Sequence, residues 1–250
     1  MKTFIRRYGG TVLIVLFLVL GYEVLTDIGE VIDPVIFPGL SRVIPTLFLC
    51  LPELLWGLYN SMLKLVPAYV LALMVGIGVG LIVGQREELR KTLAPVFSGF
   101  ASVPATLLTT YAITIFPSFQ SASVFIIFFG CLWPILNGTI AGVSLIEKCY
   151  LDSARSLELR GMTIVSKVVL PAALPTILNG AKTSLNFSFL LLIAAEMFGA
   201  SSGLGYFVQY YTDFSKFDRV IAGILFMAVF IIIIMQSFEA LKSHLLRWRK

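Results

Sequence analysis

Asp152–Pro175, DSARSLELRGMTIVSKVVLPAALP, is a polar island between two long apolar segments, and the rest of the chain is arranged around it. It is basic, carrying Arg155, Arg160 and Lys167, with good helix formers on both sides of a break near Glu158–Gly161. It closes on Leu170-Pro171 and Leu174-Pro175, and a proline disfavours helix at the residue before it. The expected form is two short helices folded back on each other and exposed on one membrane face. Such a loop is a docking surface rather than a catalytic centre.

The composition explains why the flanks read as membrane. A chain of 250 residues that is 58% hydrophobic and 13% charged, with a mean hydropathy of +0.93, is too apolar for a soluble globular domain. About 20 apolar residues cross a bilayer as a helix. Residues 1–250 are therefore expected to form one all-α membrane domain of about six transmembrane helices, without a separate soluble domain. The net charge of +5 does not call for nucleic acid, because basic residues on cytosolic loops are its usual source in such proteins. Cys50, Cys131 and Cys149 have neither metal-site nor disulfide spacing. The single histidine, His244, falls in a basic tail. No metal, cofactor or catalytic cluster is expected.

Six spans are predicted. The first, about 11–27, follows Lys2, Arg6 and Arg7 and is read as uncleaved, because no small-x-small site follows it. Ile28–Asn60 is broken by Pro34, Pro38, Pro45 and Pro52 and is expected to lie as short helices along the outer surface. Further spans are predicted at about 61–84, 93–116, 121–143, 176–198 and 220–238, with a cytoplasmic loop at 144–175. Lys64 lies near an outer end, where it is expected to snorkel. Gly76, Gly80 and Gly84, and again Gly138 and Gly142, are spaced four apart and line single helix faces on which two backbones can approach closely. Of the 19 Lys and Arg, 14 fall on one side of this topology, which places both termini and residues 144–175 in the cytosol.

Polar residues inside spans are candidates for a translocation pathway. Thr106 and Thr110, with Thr114, make a weakly polar stripe that either lines such a pathway or satisfies its own helix. Asn186, near Ser184 and Ser188, either lines it or bonds to a neighbouring helix. Glu196 either faces the pathway or braces the loop that follows. That loop, Ser201–Gly205 (SSGLG), has no following Lys-Ser/Thr and reads as a gate or turn near the outer mouth. Tyr206, Phe207, Tyr210 and Tyr211 read as an interfacial aromatic belt.

Asp152–Pro171 resembles the cytoplasmic EAA loop of binding-protein-dependent ABC importer permeases. That pattern is Glu-Ala-Ala, three residues, Gly, nine residues, Ile, any residue, Leu-Pro. Asp152, Ser153 and Ala154 stand for its first three positions and Val168, Leu170 and Pro171 for its last. The stretches LDSARSL, KVVLPAALP, AAEMFGASSGLGY and DRVIAGILF are similar to the nitrate/sulfonate/taurine branch of these permeases. One position departs: Glu158 stands where the pattern has glycine, and the next glycine is Gly161. Either the turn slides toward Gly161 or the first helix runs on.

The resemblance implies an importer permease of the bacterial inner membrane. Its partners would be two ABC ATPase subunits, a second and identical permease, and an extracytoplasmic substrate-binding protein. The coupling residues would be Asp152, Ser153, Ala154, Arg155, Ser156, Leu157, Glu158, Gly161, Val168, Leu170 and Pro171. ATP would be bound by the partner, since this chain has no Gly-x4-Gly-Lys-Ser/Thr loop. The solute would be a small anion such as a sulfonate, taurine or nitrate; a pyrimidine or flavin vitamin precursor is the alternative. A stand-alone secondary carrier would need paired ionisable residues at mid-membrane, and an intramembrane enzyme a catalytic cluster.

Overall fold

The computed structural model describes residues 35–249 together with 17, 20–24, 26 and 33, and of Arg155 and Arg249 only the backbone. Most of the expected first span, about 11–27, and much of 28–34 lie outside the described residues. The described residues are mostly helical, with no strand among them.

The first long helix, α1, is Leu40–Gly84, 45 residues with Pro45, Pro52 and Pro67 inside it. At 1.5 Å per residue it is about 68 Å long, against a hydrocarbon core of roughly 30 Å. The expected surface helices over 40–60 are thus replaced by a single rod. The reason lies on its buried face: Val43, Cys50, Leu54, Gly57, Ser61, Leu65, Ala68, Ala72, Gly76 and Gly80 follow one another at helical spacing. The three prolines sit on the exposed side. Each removes one backbone hydrogen bond there without disturbing that stripe. Where the chain enters α1, the Leu40 N–H donates to Glu23 Oε2 at 3.0 Å, which puts a carboxylate at the positive end of the helix.

Helix α2, Glu87–Ala101, starts with Glu87 and Glu88 in its first turn. It is followed by α3, Ala105–Ile115, at a bend of 74°. Pro104 holds the break: its φ of −60° and ψ of 120° are extended, and Val103 before it is pushed away from helix. The span expected at 93–116 is therefore two short helices at an angle. Helix α4 is Phe119–Ser144, begun by Ser118, whose side chain accepts from the Ser121 N–H. Helix α5 is Lys148–Ser156. Helix α6 runs over Met162–Gly199, 38 residues, with a π-turn at Val165–Val169. Helices α7, Leu204–Asp213, and α8, Phe217–Leu245, complete the bundle.

By length and composition α1, α4, α6 and α8 can each cross a membrane, whereas α2 and α3 qualify only together. The expectation that helix stops before Pro171 and Pro175 is not met. The Leu170 N–H donates to the Val165 carbonyl, five residues back. This wider turn carries the carbonyls away from the Pro171 ring, which would collide with one in a regular α-helix.

Helix α4 is the centre of the bundle, held by glycines on two sides. A Cβ on Gly76, Gly80 or Gly84 would meet Ile135, Thr139 or Val143 within 2.8 Å. The register advances by four on both helices, so α1 and α4 run parallel. On the other side Gly138 lies against Gly180, and Gly142 against Ala173, so α6 runs antiparallel to α4. Apolar side chains such as Leu71, Met74, Ile82, Val229 and Ile232 point outward and are exposed, a surface that suits lipid rather than water.

Candidate functional site

At one end of the bundle the basic segments gather. Val143, Val169, Ala173 and Ile177 form a small core there, with Leu81, Leu151, Ile164 and Leu170 packed on it. Helix α5 lies across this core through Leu151 and through Ala154, which is 3% exposed. Its other side is open: Asp152, Ser153 and Ser156 are exposed and Tyr150 is 60% exposed, while Leu157 in the turn that follows and Met162 at the start of α6 are 74% and 78% exposed. Beside it a cleft of about 520 Å³ is lined by Glu147, Tyr150, Lys167, Val168, Pro171 and Trp248, among others. Val168, Leu170 and Pro171 are half-buried at the start of α6.

The turn after α5 resolves the departure at Glu158. The turn does not slide toward Gly161, and the first helix does not run on. Glu158 takes φ +58°, and the Leu159 N–H donates to the Ala154 carbonyl at 3.1 Å, the six-to-one bond of a left-handed helix cap. Gly161, at φ +57°, reverses the chain a second time and starts α6. All of the sequence-predicted coupling residues therefore fall on α5, its cap and the beginning of α6.

The opposite end contains a site only half legible in the sequence. Glu196 is 1% exposed and Lys64 5%. Lys64 Nζ donates to Glu196 Oε1 at 2.8 Å and to the Ser202 carbonyl at 2.8 Å. Ser61 Oγ donates to the same carboxylate at 2.8 Å, and the Gly205 N–H donates to Oε2 at 2.9 Å. The Leu204 N–H closes the network on Ser61 Oγ at 3.0 Å. The glycines of SSGLG make this possible. A Cβ on Gly203, whose φ is +132°, would collide with the Glu196 carboxylate, and one on Gly205 would meet the Ile193 carbonyl at 2.7 Å. The loop cradles the chain's own anion. Lys64 does not snorkel, because a buried carboxylate lies nearer than any surface.

The remaining candidates do not converge. Thr106 and Thr110 are both exposed on α3, and Thr106 borders a cleft of about 380 Å³ with Trp133 and Asn137. Asn186 points outward on α6, whereas Ser184 and Ser188 are buried on its far side, Ser184 donating to the Cys131 carbonyl at 2.8 Å. The aromatic belt divides: Tyr206 is half-buried and Tyr210 exposed, but Phe207 and Tyr211 turn inward onto Cys50, Leu54 and Val220. There the Tyr211 hydroxyl donates to the Glu53 carboxylate at 3.0 Å and accepts from Arg219 at 2.6 Å. Sequence reading missed the Lys64–Glu196 pairing, although a lone lysine and a lone glutamate in two apolar spans are its signal.

Residues 40–247 match the family of binding-protein-dependent transport system inner membrane components. The nitrate import permease protein NrtB of Leptolyngbya laminosa is 30% identical over 176 residues, 70% of this chain and 63% of that one. The putative aliphatic sulfonates transport permease protein SsuC of Bacillus subtilis (strain 168) is 31% identical over 197 residues, 79% of this chain and 71% of that one. The chain thus spans less than two thirds of the nitrate permease it matches. Among solved structures, an inward-facing form of the MetNI methionine ABC transporter superposes with a TM-score of 0.68 at 16% identity, over 78% of this chain and 97% of that one. At that identity the likeness concerns the fold alone. With the match covering most of the chain and the helical bundle in agreement, this protein belongs to the family of binding-protein-dependent transport system inner membrane components.

Proposed function

We propose that the chain is the permease subunit of an ATP-driven importer and that α5 with its Leu157–Gly161 turn is where a separate ATPase subunit docks. One observation carries this reading. Helix α5 is anchored from beneath by Leu151 and Ala154, yet the turn after it presents Leu157, and the start of α6 presents Met162, to water at the basic end of the bundle. Exposed apolar side chains rimmed by polar ones mark protein interaction sites. The rigid connection from Met162 into the 38-residue α6 would carry motion of the docked partner into the membrane.

In this reading both termini and α5 face the cytosol of a bacterium. Two permeases, the second an identical copy, pair with two ATPases and an external binding protein. The ATPases hydrolyse ATP, and this chain needs no cofactor of its own. ATPase closure would shift the permease pair between inward- and outward-facing packings. The solute is a small anion, in keeping with relatives named for nitrate and aliphatic sulfonates.

Co-purification tests the docking. A partner ATPase subunit co-expressed with this chain is expected to come down with the wild type and to be lost from Leu157→Glu and Met162→Glu, both exposed positions whose replacement is expected to leave the fold intact. Retention by both variants overturns the assignment. Uptake of a vitamin precursor and of no anion by the assembled importer would overturn the solute class while leaving the machinery in place.

A further inference from the structure

The end of the bundle opposite α5 holds a polar pocket of about 130 Å³. Asn60 and Lys64 of α1, Phe119 and Gln120 at the start of α4, and Ser201 and Ser202 of the loop after α6 all line it. Gln120 and Ser201 are exposed at its rim, and Lys64 is buried at its floor. An ammonium carries three donors. Two of those on Lys64 are used, on Glu196 Oε1 and on the Ser202 carbonyl, which leaves one for the pocket.

The ion pair is also polarised with respect to this space. Lys64 borders the pocket, whereas Glu196 does not; its oxygens are taken by Ser61, Lys64 and Gly205. Among the described residues the pocket therefore meets the positive end of the pair and no carboxylate. Helix α4 begins at Phe119 on the same wall, and its first-turn N–H groups add partial positive charge. The remaining polar lining is neutral and can donate: the amides of Asn60 and Gln120 and the hydroxyl of Ser201. The volume is that of several water molecules, enough for an oxyanion of four or five heavy atoms.

We propose that this pocket is a binding subsite for a small oxyanion at the outer mouth, held by Lys64, Asn60, Gln120 and Ser201. The assignment rests on the proposed uptake of an anion, and it makes the Lys64–Glu196 pair a recognition element as well as a brace. A solute handed over by the external binding protein would meet these donors first.

Gln120→Glu places a carboxylate on the rim while leaving Ser61, Lys64 and Glu196 themselves unchanged. The test is thermal unfolding of the full-length chain in lipid nanodiscs, in sodium nitrate or sodium methanesulfonate against sodium chloride at equal ionic strength. The wild type is expected to be stabilised by one of the oxyanions beyond chloride. Gln120→Glu is expected to need about tenfold more of it, as a like charge at the mouth of the pocket demands. A wild type that gains nothing over chloride, or a Gln120→Glu chain that responds like the wild type, overturns the subsite. Uptake by the assembled importer separates the two levels. If labelled nitrate or methanesulfonate enters and Gln120→Glu leaves KM unchanged, the subsite is wrong and anion import stands. If the wild-type importer moves no oxyanion, the anion reading fails and takes the subsite with it.

Discussion

Glu158 adopts φ +58°, a conformation that costs an ordinary L-residue roughly 1–2 kcal/mol. Replacing it with glycine removes that cost but adds freedom to the unfolded chain. Glu158→Gly is therefore expected to stabilise the fold slightly, by at most about 1 kcal/mol, and Glu158→Val to destabilise it, since a β-branched residue tolerates this angle least. A thermal melt of the two variants in detergent checks the order. The Lys64–Glu196 pair obeys a different rule. Lys64→Met leaves a carboxylate enclosed with no counter-charge and is expected to cost about 3–5 kcal/mol. The double variant Lys64→Met/Glu196→Gln should lose far less, because the amide still accepts from Ser61 and the Gly205 N–H. A double-mutant cycle read from unfolding midpoints measures the difference, and equal losses for single and double variants would show that the charge itself is not what holds the loop.

At the scale of elements, close approach of α1, α4 and α6 replaces the hydrophobic drive that lipid cannot supply between helices. The contrast between two neighbouring glycines makes this measurable. A Cβ on Gly80 would lie 2.6 Å from Thr139 Cβ, whereas Gly78 has nothing within 4 Å. Gly80→Leu is expected to push α1 off α4 and destabilise the protein by several kcal/mol, at or above the roughly 1–3 kcal/mol typical of overpacking. Gly78→Leu should change stability by less than about 1 kcal/mol. Similar melting points for the two would mean that the α1–α4 ladder does not govern assembly. The π-turn at Val165–Val169 belongs to this scale too, because it lets a proline-bearing segment join the Leu157–Gly161 turn to a spanning helix without a hinge.

For the whole molecule, topology is the property most directly open to experiment. Cys50 and Cys131 are buried, and Cys149, on α5, is exposed. A membrane-impermeant maleimide is therefore expected to label the native chain at Cys149 alone, in inside-out but not right-side-out vesicles, and more slowly once the ATPase is bound. Labelling from the outer face would invert the orientation and remove the docking assignment with it.

The helical class, the apolar segments, the glycine faces and the exposed polar loop between two apolar helices were legible from residue order, because each depends on spacing within one segment. A four-residue step puts Gly76, Gly80 and Gly84 on one side of any helix, whatever lies opposite. The proposed docking motif likewise keeps its positions over Asp152–Pro171. What only the tertiary structure decided was the continuity of α1 through Pro45 and Pro52, the passage of α6 through Pro171, the inward turn of Phe207 and Tyr211, and the meeting of Lys64 with Glu196. A proline is a local penalty, and whether helix survives it depends on the stripe packed against other elements. The ion pair joins residues 132 positions apart, so its partners are brought together only when α1, α6 and the SSGLG loop close on one another.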